Sequence, residues 1–186
     1  GAYFTHSVFL FAAPVAAGPM IVGLIISSGE LVWLFTAFLS LSLAIMEDFN
    51  FMFAIVSLVG GIAAARGVLN CKKRNDIYWA GVRTGLINAL LVAFLMVIAK
   101  IEQDESLTEV YIAIPAAFLG GIFSSLITMM VIPLVESLFN YTTDVKLLEL
   151  SNLNHPLLKQ MLIQAPGTYH HSMMVGSMVE AAAEEI

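Results

Sequence analysis

The side chains best suited to chemistry are His170 and His171, in the run Gly167-Thr168-Tyr169-His170-His171-Ser172 that leads into Met173-Met174-Val175. Ala165-Pro166-Gly167 reads as a break and Thr168 as the cap of a helix running to the end of the chain. That places both imidazoles in a first helical turn. Neutral imidazole is the commonest protein ligand for transition metals. Neighbouring residues on a helix point about 100° apart, so only one of the pair can face a given metal. The sequence has no His-x-x-x-His, no pair of cysteines and no His-Asp dipeptide to complete a site. Taken alone, the pair reads as a surface or capping feature at a helix start.

Other polar groups stand out because their surroundings are apolar. Cys71 is the single cysteine, which excludes a disulfide within the chain, and it neighbours Lys72, Lys73 and Arg74. Those cations would lower its thiol pKa, although an inert cysteine is the simpler reading. Arg83 lies one turn inside an apolar stretch and reads as an interfacial anchor whose head reaches toward water. Asn88, deeper in the same stretch, is expected to hydrogen-bond to another helix as structural glue. Glu136 stands near the end of the last apolar stretch, either bridging to the segment that follows or solvated. No catalytic residue is assigned.

The elements that must position these groups are membrane helices. Of 186 residues 59% are hydrophobic and 12% charged, and the mean hydropathy is +0.88. A soluble domain carries roughly 45–50% apolar and about 25% charged residues. Five apolar stretches run over about 8–28, 31–46, 51–66, 78–99 and 110–139, bounded by turns at Ser28-Gly29-Glu30 and Glu47-Asp48-Phe49-Asn50. They lack period-2 alternation and exceed barrel-strand length, so the fold class is all-α, a polytopic transmembrane bundle of about five spans. In the fourth, residues 82–98 hold ten Leu, Ile, Val or Phe. At mid-bilayer these contribute roughly −3 to −6 kcal/mol against about 2.5–3.5 for Arg83, so insertion wins.

Five of the eight Lys and Arg lie between Arg66 and Arg83, while the flanking loops carry Glu47, Asp48, Glu102, Asp104, Glu105 and Glu109. The positive-inside rule puts the basic loop in the cytoplasm and, by alternation, everything after Phe139 there too. The formal net charge of −6 and this clustering argue against a nucleic-acid polymer as partner. The bilayer itself is the expected partner, with anionic lipid at the basic loop. Gly81-x-x-x-Gly85, Ala116-x-x-x-Gly120 and Ala117-x-x-x-Gly121 permit close helix approach, within the bundle or in a homodimer.

After Phe139 the character changes to that of water-soluble helices. Thr142-Thr143-Asp144 can cap a helix through Leu150, and Asn154 a second, with Pro156 early in it, to about Gln164. The domain reading is therefore a transmembrane region 1–139, a juxtamembrane helical linker 140–164 and the beginning of a further domain at 165–186. Both chain ends read as cuts in a longer protein.

The run Leu147-Leu-Glu-Leu-Ser-Asn-Leu-Asn-His-Pro-Leu-Leu158, with Ala165-Pro-Gly-Thr-Tyr-His-His-Ser172, resembles the segment leading into the HD-type phosphohydrolase domain of the seven-transmembrane HD receptors, the PgpH-type family of cyclic di-AMP phosphodiesterases. Upstream, Ala13-Pro-Val-Ala-Ala-Gly18 and Pro133-Leu-Val-Glu-Ser-Leu-Phe139 resemble that family's membrane region. The resemblance implies a bacterial receptor in the inner membrane, with an extracytoplasmic sensor before this chain and an HD hydrolase after the last span. It implies that the first metal-ligating histidine, which precedes a Ser-x-x-Val turn, is His171 (Ser172, Val175). His170 would be its neighbour, supporting the ligand or facing phosphate. In the complete protein two iron or manganese ions would generate a hydroxide that opens cyclic di-AMP to the linear di-adenylate. The family's His-Asp dyad and later ligands have no counterpart among these residues, so the fragment is expected to bind no metal and to be inactive alone. The competing expectations are a transporter or channel, with spans one and five broken by Pro and Gly around a midplane site, and a passive anchor.

Overall fold

A computed structural model describes residues 10–26, 28–47, 50–69, 71, 73–103, 108–139, 142–150 and 156–185. Among them the regular structure is helical: α1 (Ala17–Ile26), α2 (Gly29–Met46), α3 (Phe51–Val68), α4 (Arg74–Gln103), α5 (Thr108–Phe139), α6 (Asp144–Leu150), α7 (Pro156–Gln164) and α8 (Pro166–Glu184). The chain divides into two compact units, Gly1–Val145 and Lys146–Ile186.

In the first unit, α2 to α5 are long and apolar enough to cross a membrane, and Leu10–Ile26 is a shorter apolar helical segment. The expected first span is not one continuous helix. Residues 10–12 are helical, the chain bends at Ala13-Pro14, and α1 restarts at Ala17. Pro14 has no N–H to donate, and its ring clashes with the preceding turn of a helix. The fifth span differs from the broken-helix expectation: α5 is one helix with Pro115 and Pro133 inside it. Neighbouring helices can hold such a helix together when its own hydrogen bonds are lost.

Burial in this unit is inverted relative to a water-soluble core. Leu34, Phe38, Leu41, Leu90, Phe94 and Met130 are exposed, whereas Thr36, Ser57, Thr84, Ser124, Ser125 and Thr128 are buried. The hydroxyls satisfy themselves on their own helices. Thr36 donates to Val32 O at 2.7 Å, Thr84 to Ala80 O at 2.8 Å and Thr128 to Ser124 O at 2.8 Å. Lipid rewards apolar side chains outside, and packing then depends on small residues inside.

The α4–α5 pair is the most extensive helix contact. A Cβ on Gly121 would collide with the backbone N of Gly85, and one on Gly85 would lie 2.5 Å from Phe118 O. The small-residue motifs at Gly81, Gly85, Gly120 and Gly121 are thus filled by contacts inside this chain. Asn50 caps α3 by accepting from Phe53 N at 3.0 Å, and Asp76 accepts from Lys73 N at 2.9 Å at the start of α4.

The second unit packs α7 on α8. Its last helix starts earlier than expected. Pro166 is its first residue and Ala165 the N-cap, so Thr168 lies inside the first turn and does not cap it. Proline suits that position because its φ is already helical and its missing N–H has no acceptor there. Asn154, the expected cap of α7, lies outside the described residues, as does His155.

Candidate functional site

The densest polar constellation of the first unit sits where α4 begins and α5 ends. Arg74 opens α4 and Glu136 lies in the last turn of α5. Arg74 Nη2 and Glu136 Oε2 are 3.5 Å apart, and the Glu136 side chain is only 11% exposed. Its other oxygen, Oε1, accepts a hydrogen bond from Thr143 Oγ1 at 2.5 Å. Thr143 is buried and immediately precedes α6. Of the two readings of Glu136, bridging is the one realised, and it reaches both the start of α4 and the segment after α5. A cavity of about 80 Å³ adjoins the three, walled by Leu24, Ile77, Met129, Ile132 and Val145. A carboxylate this buried loses hydration, which a cation and a charge-assisted hydrogen bond offset.

The same end of the bundle holds the basic loop. Cys71 is buried, and its thiol donates to Gly67 O at 3.2 Å. Burial, reinforced by the Asp76 carboxylate and opposed by Arg83, pushes its pKa up from 9.0 to about 11. The raised pKa agrees with the inert reading of Cys71, because desolvation outweighs the nearby cations. Arg66 stacks over Trp33 with 5.6 Å from guanidinium carbon to ring centroid. Arg83 is exposed on α4, as are Tyr78 and Trp79 one turn before it. A basic and aromatic rim of this kind is usual where a bundle meets the membrane surface.

Asn88 lies midway along α4 facing Gly60 of α3. The hydrogen bond expected of it is not made by its Oδ1, which is buried with no partner among the described residues. A Cβ added at Gly60 would run into the Asn88 amide, so the glycine leaves it the space it occupies.

In the second unit His170 and His171 are exposed in the first turns of α8. The His170 ring meets Tyr169 edge-on at 5.8 Å. Sequence reading missed the groove between α7 and α8, lined by Leu158, Met161, Tyr169, Ser172, Met173, Gly176, Ser177 and Glu180. Among the described residues no three His, Cys, Asp or Glu side chains converge as metal ligands. The described groups do not fit a metal centre by themselves.

The membrane helices, the proline break near the start and the polar tie at Glu136 all fall within residues 2–143, the stretch matched by the family model for the 7TM receptor with intracellular HD hydrolase. The chain belongs to that family. It is 38% identical over 182 residues to the cyclic-di-AMP phosphodiesterase PgpH of Listeria monocytogenes, covering 96% of this chain and 24% of that protein. It is 30% identical over 183 residues to PgpH of Bacillus subtilis, covering 95% and 25%. An uncharacterized protein of Synechocystis is 29% identical over 149 residues, covering 78% and 18%. The chain thus spans about a quarter of the length of the two PgpH relatives. No solved structure matches it.

Proposed function

We propose that this chain is the membrane and juxtamembrane portion of a bacterial signalling receptor that couples an extracytoplasmic sensor to a cytoplasmic HD phosphodiesterase acting on cyclic di-AMP. Residues 1–139 form the bundle in the inner membrane, 140–164 a helical linker and 165–186 the entry to the hydrolase domain. The observation that carries the reading is the tie from Arg74 through Glu136 to Thr143, which fastens the segment entering α6 to two membrane helices at once. A displacement of α4 against α5 would be passed to that segment as a small shift, and packed elements relay such shifts when they have two discrete arrangements.

His171 is the first ligand of a divalent metal pair, iron or manganese, completed by residues of the whole protein outside this chain, with His170 beside it. The C-terminal end is cytoplasmic, on the positive-inside argument for Lys72, Lys73 and Arg74. The resemblance and the PgpH relatives support the substrate class. The chain by itself is inactive.

The test uses the complete receptor. A flexible Gly-Ser insertion after Leu150 should abolish signal dependence while basal hydrolysis of cyclic di-AMP persists. Signal dependence that survives the insertion counts against relay and in favour of a passive anchor.

A further inference from the structure

Midway between the ends of α4, Asn88 turns its amide onto Gly60, where an added Cβ would meet Asn88 Cγ at 2.9 Å. Its Oδ1 is buried and has no hydrogen-bond partner among the described residues. The amide borders a cavity of about 20 Å³, walled also by Ser57 of α3, by Gly120 and Ser124 of α5, and by Phe11 and Ala13 at the Pro14 break. The two serines have already committed their protons. Ser57 Oγ donates to Ala54 O at 3.0 Å and Ser124 Oγ to Gly120 O at 2.7 Å. Each keeps lone pairs. Asn88 Oδ1 and the two hydroxyl oxygens therefore all call for a donor.

The occupant follows from size and charge. One water needs about 10–15 Å³ and two to four polar partners, and the cavity offers both. A hydrocarbon group would leave Oδ1 unpaired at membrane depth, where no bulk water can compensate. A bare cation would need several more oxygens and a compensating charge, and among the described residues no Asp or Glu lines the cavity.

We propose that this cavity is a one-water site at the core of the bundle, in which a buried water donates to Asn88 Oδ1 and to a seryl Oγ of Ser57 or Ser124. The water joins α4 to α3 or to α5 beside the break that precedes α1. It makes Asn88 part of a bonded joint.

The sign of a single substitution separates the cases. An unpaired buried oxygen destabilises, so replacing it by an apolar group would help. A water-bonded oxygen stabilises, so the same replacement would hurt. Thermal unfolding of the chain in lipid nanodiscs is compared for wild type, Asn88→Leu, Ser57→Ala, Ser124→Ala and the two double variants that combine Asn88→Leu with either serine change, in sodium chloride and in choline chloride. Asn88→Leu should lower the melting temperature by roughly 2–4 °C in either salt, and at least one of the two double variants should fall short of the sum of its single effects. Water-edited solid-state NMR of the wild type should show transfer from bound water to the Asn88 side-chain amide, which decides the matter even if a variant fails to fold. A raised melting temperature for Asn88→Leu, or no transfer, overturns the proposal. So does wild-type stability that depends on sodium and loses that dependence in Asn88→Leu, which would make the occupant a cation.

Discussion

Glu136 Oε2 lies 3.5 Å from Arg74 Nη2 across the ends of two antiparallel membrane helices, while Oε1 of the same carboxylate holds the hydroxyl of Thr143. One side chain therefore fixes the end of α5 to the start of α4 and to the chain just before α6. An ion pair at a membrane surface is ordinarily weak because water screens it. This one gains from the burial of Glu136, and its geometric consequence exceeds its energy, since the segment it restrains is the route out of the bundle.

Glu136→Gln keeps the shape and an acceptor for Thr143 but removes the charge facing Arg74. It should lower stability by about 1 kcal/mol, since Arg74 is itself partly solvated. Glu136→Ala also removes the carboxylate acceptor of the Thr143 hydroxyl and should cost about 2 kcal/mol. Unfolding of both variants in nanodiscs checks the order. Equal effects would mean that the Thr143 bond contributes nothing.

Much of this was legible in the sequence, for physical reasons that differ by residue. Lipid as solvent dictates long apolar runs, so the helices α2 to α5 follow from Leu31–Met46, Phe51–Arg66, Tyr78–Ala99 and Val110–Phe139 almost directly, each extended in the structure by a few residues. Pro14 was legible as an interruption but Pro133 was not distinguishable from it, because whether a proline breaks a helix depends on neighbours that the sequence does not order in space. For Cys71 the direction of the pKa shift was hidden for the same reason: adjacent cations are visible in sequence, and burial is not. The tie at Glu136 was one of two open readings, since a carboxylate near a helix end is equally at home in water. His170 and His171 were legible as ligand types, but a site needs convergence, and convergence is tertiary.

The helix seam makes a contrasting pair of predictions. Gly121→Ala puts a methyl into the backbone of Gly85, which has no rotamer to yield. It should destabilise by about 3 kcal/mol, the upper end for overpacking. Gly176→Ala meets nothing within 4 Å on α8 and should stabilise that helix by about 0.5–1 kcal/mol. Thermal melts followed by circular dichroism test both, and a tolerated Gly121→Ala would contradict the close α4–α5 approach.

The Cys71 thiol gives a pH prediction with a definite sign. Its folded pKa is about 11 against an ordinary 9.0, so the native state favours the neutral thiol. That preference contributes fully below about pH 9 and is lost as pH rises from there toward about 11. Alkaline destabilisation over this window should be smaller in Cys71→Ala. At pH 7.5 the folded protein should react with maleimide roughly 100-fold more slowly than the unfolded chain, following the thiolate fraction. Rapid labelling of the folded form would show that the thiol is neither buried nor protonated.

Incubation of the chain with cyclic di-AMP and Mn²⁺ should yield no linear di-adenylate above a protein-free control, because His171 alone cannot hold a metal pair that activates water. Chromatography of the products provides the measurement. Turnover that disappears in His171→Ala would mean that ligands within this chain complete the centre.

Sidedness bears on every functional claim, since a hydrolase entry on the outer face could not meet a cytoplasmic nucleotide. The cavity beside Arg74 is walled by Leu24 of α1, Ile132 of α5 and Val145, so the basic loop and the exit from α5 share one end of the bundle. On the proposed topology, the excess of Lys and Arg there places this end inward by the positive-inside rule. In a Cys71→Ser background, Lys73→Cys and Ser172→Cys should both resist a membrane-impermeant maleimide in intact cells and label once the membrane is opened. Ser106→Cys, in the acidic stretch between α4 and α5, should label without opening. Should Lys73→Cys and Ser172→Cys differ, an additional crossing must separate the bundle from α8, and relay through Glu136 to a cytoplasmic hydrolase would be untenable.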